Sequence, residues 1–93
     1  MIIGSIIWQL HLDGCQSLKD KRHVLRSIKD RLRHQFNVSV AETDFQDTWQ
    51  RAEIAVCVVS GDRKYAEGVL RAADNLVASA PGARIVDSVT SYL

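Results

Sequence analysis

Ala52-Glu53-Ile54-Ala55-Val56-Cys57-Val58-Val59-Ser60, closed by Gly61-Asp62, is the stretch on which the fold turns. Its apolar run, Ile54 to Val59, is far short of the roughly 20 residues that cross a membrane, and it is rich in β-branched side chains. That combination predicts a strand lying inside a sheet. Gly61 ends the run, and Asp62 is placed to cap a helix. The helix carries Ala66, Val69, Leu70, Ala73, Leu76 and Val77 on one side and ends at Pro81-Gly82, where proline has no donor and glycine tolerates the turn. Beyond it, residues 83–93, with Ile85, Val86 and Val89, predict a last strand.

Upstream, Val38 to Thr43 alternates as a half-buried strand does, and Asp44 to Arg51 forms a connection containing Phe45 and Trp49. Leu18, Leu25, Ile28, Leu32 and Phe36 recur at helical spacing and predict a helix over 18–36. Ser17 caps it, with Asp20 three residues on as its answering acid, and Asn37 is a natural left-handed terminator. Residues 2–12, rich in Ile, Leu and Trp, predict a strand with both faces partly apolar. The order β-α-β-β-α-β, with two right-handed crossovers around a hairpin, is the α+β ferredoxin-like sandwich. It consists of a four-stranded antiparallel sheet with two helices on one face, in a single domain over 1–93. The other sheet face has no helix to cover it. Because many unrelated functions use this fold, it carries almost no functional information.

Composition sets further bounds. At 46% hydrophobic and 25% charged residues the chain is an ordinary globular domain. A chain of 93 residues hides only roughly 60–65% of its unfolded surface, which makes self-association a plausible supplement. Cys15 and Cys57 form no CxxC pair, so neither a disulfide framework nor a zinc site is indicated, and a reducing compartment suits them. The apolar N-terminus lacks a basic n-region and carries Ser5, Gln9, His11 and Asp13, so it reads as a strand and not a signal peptide. The expectation is a cytoplasmic protein with no cofactor, no metal and no membrane partner.

With 12 basic and 11 acidic residues the net charge is only +1, yet it is segregated. Between Lys19 and His34, Lys19, Lys21, Arg22, Arg26, Lys29, Arg31 and Arg33 face only Asp20 and Asp30. Lys19, Arg22, Arg26, Lys29 and Arg33 fall within a helical sector of roughly 80°. The apolar residues occupy the neighbouring sector, and Lys21 projects toward them. Like charges spaced three and four apart destabilise a helix, and cations in its first turns oppose the helix dipole. Local rules broken together mark a functional site. One reading is an anion site built from Ser17, Lys19, Lys21, Arg22, Arg26, Lys29 and Arg33, long enough to follow several phosphates of a nucleic acid. The other is a solvated basic face paired with acidic loops of its own or a neighbouring subunit.

Glu42, Asp44, Asp47 and Glu53 bracket the connection that holds Phe45 and Trp49. Their spacing matches no metal loop, so a polar hairpin, with Asp47 capping a turn and Trp49 packing down, is favoured over a cation site or partner surface. His11, Asp13 and Cys15 alternate at a strand end but lack a fourth ligand at recognisable spacing. Cys57 reads as a small core residue. Nucleophilic catalysis finds no motif, and no GxxxxGK phosphate loop is present. Ferredoxin-like acyl-phosphate hydrolases hold phosphate with an arginine after the first strand. Asp13-Gly14-Cys15-Gln16-Ser17 contains none.

Ser17-Leu18-Lys19-Asp20-Lys21-Arg22, Phe36-Asn37-Val38-Ser39-Val40-Ala41-Glu42 and Asp47-Thr48-Trp49-Gln50-Arg51-Ala52-Glu53 resemble, in order, the YlxP-like bacterial family, domain-of-unknown-function family 503. The resemblance covers essentially the full length. It implies a ferredoxin-like fold and a cytoplasmic bacterial protein whose genes often neighbour those for translation initiation and ribosome maturation. It implies no activity and no catalytic residues.

The expectation is therefore a non-catalytic accessory protein that meets RNA or the ribosome through the basic stripe. Strand one offers only Trp8 as an aromatic and strand three none, which predicts weak sequence preference and strong salt sensitivity. The alternative is a homo-oligomeric, dimeric interaction module without a nucleic-acid role. Its contact would use Ile3 and Ile7, or Trp8 and Leu10, depending on strand register, with Trp49 as a further interface residue. An enzyme acting on a small phosphorylated ligand is the weakest reading, and no small-molecule substrate is implied.

Overall fold

The computed structural model describes residues 1–93. Its elements are β1 (Ile2–His11), α1 (Leu18–Gln35), β2 (Ser39–Asp44), β3 (Arg51–Ser60), α2 (Arg63–Ala78) and β4 (Arg84–Tyr92). The sheet order is β2-β3-β1-β4, every pairing antiparallel, so the apolar β3 and β1 lie inside and β2 and β4 form the edges. This is the ferredoxin-like arrangement expected from the element order.

Strand parity settles what apolar composition left open. Gly4, Ile6, Trp8, Leu10 and Leu12 are buried, whereas Ile7 is exposed and Ile3 half-exposed. The even positions of β1 therefore face the helices, and the odd ones line the open face. Trp8 pairs with Ile54 and is fully buried, its indole Nε1 donating to Asp74 Oδ1 at 2.9 Å. Trp8 is thus a core residue and not an interface residue. The partner for its N–H lies on α2, an element no local pattern connects to it. Leu25, Ile28 and Leu32 of α1 and Ala66, Leu70, Ala73, Leu76 and Val77 of α2 complete the core with Val56 and Val58 of β3. At Gly4 both α2 and the neighbouring strand β4 come so close that a Cβ would stand 3.0 Å from Leu70 Cδ1 and 3.1 Å from Tyr92 Cε1.

Three local expectations are corrected. Helix α1 stops at Phe36 in extended backbone (φ −132°), its N–H bonded to Leu32 O, and Asn37 is not left-handed. The chain turns into β2 through a bend at residues 36–37, where Val38 N donates to Phe36 O at 3.0 Å, without a left-handed residue. Helix α2 ends at Ala78, its cap Ser79 returning N–H and hydroxyl to α2 carbonyls, three residues before the proline-glycine pair expected to stop it. Cys57 pairs with Ser5 and Ser39 on the open face and is only partly buried. Cys15 is the buried cysteine.

Candidate nucleic-acid interface

Helix α1 lies over β2, with the β2–β3 connection, residues 45–50, folded against its N-terminal half. Between them runs a cleft of about 510 Å³. Arg22, Arg26, Lys29 and Arg33 line its helix side, Leu18 and Leu25 its apolar floor, and Gln46 and Asp47 its far lip. With Lys21, which also borders it beside Glu42, five of the seven expected anion-binding residues are brought together.

Of these five Lys21 is already paired, and Ser17 and Lys19 lie outside the cleft. Lys21, at the centre of the apolar sector, is 2% exposed. Its ammonium donates to Phe45 O (2.5 Å) and Thr48 O (2.8 Å) and stands 3.0 Å from Glu42 Oε2. It is a structural cation, unavailable to a ligand, because a charge pointing into a core must be paired and hydrogen-bonded. Ser17 is occupied as well. Its hydroxyl accepts from Asp20 N, and Asp20 Oδ2 in return accepts from Gln16 N, a reciprocal cap that engages the serine side chain. Lys19 is exposed but lies with Cys15, Asp20 and His23 in a different depression.

The ridge that remains is not neutralised. Arg22, Arg26 and Lys29 take part in no ion pair or side-chain hydrogen bond within the chain. Arg33 spends one donor, Nη2 to Val40 O at 2.9 Å, covering a carbonyl of the β2 edge. Of the acidic residues bracketing the connection, Glu42 answers Lys21, Glu53 accepts from Gln9 and Thr43, and Asp44 accepts from Phe45 N. Only Asp47 and Asp30 border the cleft without a pairing.

The connection itself is tightly built. Phe45 is the one non-glycine residue with positive φ (62°). Its carbonyl accepts from Thr48 N (3.0 Å) as well as from Lys21, and Arg51 lies 4.1 Å over its ring. Gln50 O accepts from Leu12 N, and Gln50 Nε2 donates to Cys15 O. Between these fastened neighbours Trp49 is half exposed instead of packing down. Helical spacing pointed Lys21 toward the apolar sector but missed the groups that pair it there, and the favoured hairpin reading packed Trp49 down, since both outcomes depend on where the connection lies.

No group of three or more His, Cys, Asp or Glu residues is placed to hold a metal ion. His11 and Arg84 both reach Asp13, and the Arg84 hydrogen bond holds that carboxyl below its ordinary range. No helix is long and apolar enough to cross a membrane.

Residues 3–90 match the family described as "Protein of unknown function (DUF503)". The Bacillus subtilis (strain 168) protein named "Uncharacterized protein YlxP" is 46% identical over 55 residues, 59% of this chain and 60% of that protein. The aligned stretch thus spans less than two thirds of that relative's length. A solution NMR structure of a de novo designed protein with ferredoxin fold superposes on all of this chain and 84% of its own, at TM-score 0.55 and 10% identity. At that identity the likeness is one of fold alone.

Proposed function

We propose that this chain, which belongs to the DUF503 family, binds the phosphate backbone of RNA as a non-catalytic, ribosome-associated accessory protein of the bacterial cytoplasm. The single observation that carries this reading is the convergence of Arg22, Arg26, Lys29 and Arg33 on one cleft, three of them without an intramolecular ion pair or side-chain hydrogen bond. Unpaired cations packed along one helix are costly to the isolated fold, by a few tenths of a kcal/mol per like-charge neighbour, and a polyanion removes that cost. From Arg22 to Arg33 the helix rises roughly 16 Å, the length of a few nucleotides. Contacts of this kind position a backbone without reading its sequence. The test is fluorescence anisotropy with ribosomal RNA fragments. Reversal of Arg22, Arg26 and Lys29 to Glu removes binding if the cleft is the site, and unchanged affinity rejects it.

A second reading, self-association, is favoured by the open sheet face. Ile7 stands opposite Val89, and Ile3 opposite Val59, with Val59 and Val89 both more than half exposed. Small residues, Ser5, Ala41, Ala55 and Cys57, lie between them. A second copy packed sheet to sheet would bury this face and leave the cleft on the opposite side free. Sedimentation at micromolar concentration decides; a strict monomer removes the reading.

A further inference from the structure

We infer that Trp49 is a base-stacking platform at the mouth of the cationic cleft, so that the RNA taken there is single-stranded and is held by at least one unpaired base as well as by its phosphates. The inference rests on the phosphate-binding reading and adds to it the class of RNA.

Trp49 is 50% exposed, in a protein whose other tryptophan is completely buried. An exposed indole on a mobile loop would be unremarkable, but the backbone on both sides of this one is tied down. Thr48 O is held by Lys21 Nζ and Gln50 O by Leu12 N, while the Gln50 side chain reaches Cys15 O. Phe45, at the start of the same turn, is kept in a left-handed conformation that a bulky side chain rarely adopts. Fixed backbone of this kind spares a ligand the entropy of ordering the loop.

The position matters as much as the rigidity. Asp47 belongs both to the lip of the cleft and to the shallow surface around Trp49, so the ring's surface adjoins the cationic cleft across that one residue. A polycationic track ending at an aromatic face is what a single strand needs, since every base presents a π-face and every linkage a phosphate. In a duplex the bases are already stacked on one another and offer Trp49 no face. The indole N–H makes no hydrogen bond within the chain, which leaves it free to donate to the strand.

The test compares wild type, Trp49→Ala and Trp49→Phe by anisotropy on three labelled probes: a short single-stranded oligoribonucleotide, an abasic oligonucleotide of equal length, and an RNA duplex. The expected result is single-strand binding about 5- to 150-fold weaker in Trp49→Ala, largely retained in Trp49→Phe, with abasic binding equal in all three proteins. Equal affinity of wild type and Trp49→Ala for the single strand, or duplex bound as tightly as single strand, overturns the stacking role and leaves the phosphate reading standing. Absence of binding to any probe overturns both. A shift of Trp49→Ala from dimer to monomer in sedimentation, with RNA affinity unchanged, would assign the ring to self-association and also overturns it.

Discussion

Lys21 Nζ stands 3.0 Å from Glu42 Oε2, with the lysine side chain almost wholly out of solvent, and this pair joins the first helix to the edge strand and its connection. The two carbonyls that share the ammonium, Phe45 O and Thr48 O, belong to the turn that presents Asp47 and Trp49. One cation therefore sets the width of the cleft that four others line.

Replacing Lys21 with Met leaves Glu42 without its counter-charge and two carbonyls without their shared donor. Breaking a buried pair from one side costs about 3–5 kcal/mol, and urea denaturation should show a loss near the lower end, since Glu42 is partly solvated. A loss below about 0.5 kcal/mol would mean that the lysine is not a structural cation.

Much of the fold was legible because it rests on local periodicity. The 3.6-residue repeat of Leu25, Ile28 and Leu32, the apolar run at 54–59 and the caps Ser17 and Asp62 all take the places that the pattern assigned to them. Strand one was ambiguous because Ile7 and Trp8 are both large and apolar. Parity was decided only when Trp8 found Asp74 and Gly4 admitted Leu70 and Tyr92. For the site, helical geometry alone grouped Arg22, Arg26, Lys29 and Arg33 and pointed Lys21 inward. That Lys21 is satisfied there depends on carbonyls 24 and 27 residues away, a non-local contact that no spacing rule contains.

Asp13 gives a pH signature. The Arg84 hydrogen bond holds the Asp13 carboxyl below its ordinary value against an opposing desolvation, with the Arg84 charge and His11 adding to the lowering. A carboxylate lowered on folding stabilises the folded state above its unfolded pKa and loses that contribution as pH falls through the folded one. In Arg84→Ala the Asp13 titration followed by carbon NMR should move back up toward about 3.9, the usual aspartate value. The acid side of its stability profile should flatten correspondingly. An unmoved titration would show that Arg84 is not its partner.

The two cysteines should separate chemically. Burial, and then the nearby Asp20 carboxylate, raise the Cys15 thiol above its ordinary pKa, whereas Cys57 is partly accessible on the open sheet face. Reaction proceeds through the thiolate. Iodoacetamide applied to the folded protein at neutral pH should alkylate Cys57 first, at least tenfold faster, and both equally in urea. Equal native rates would contradict the assignment of faces. If a second copy covers the sheet, labelling of Cys57 slows as protein concentration rises.

The salt dependence of single-stranded RNA binding tests the unpaired cationic cleft most directly. Four phosphate contacts predict a slope of log affinity against log salt of about −3, or roughly a 50-fold loss between 50 and 200 mM. Joint reversal of Arg22, Arg26 and Lys29 to Glu should bring that slope close to zero together with the affinity. A slope near zero in the wild type, or one that the triple reversal leaves unchanged, would contradict an RNA site in this cleft.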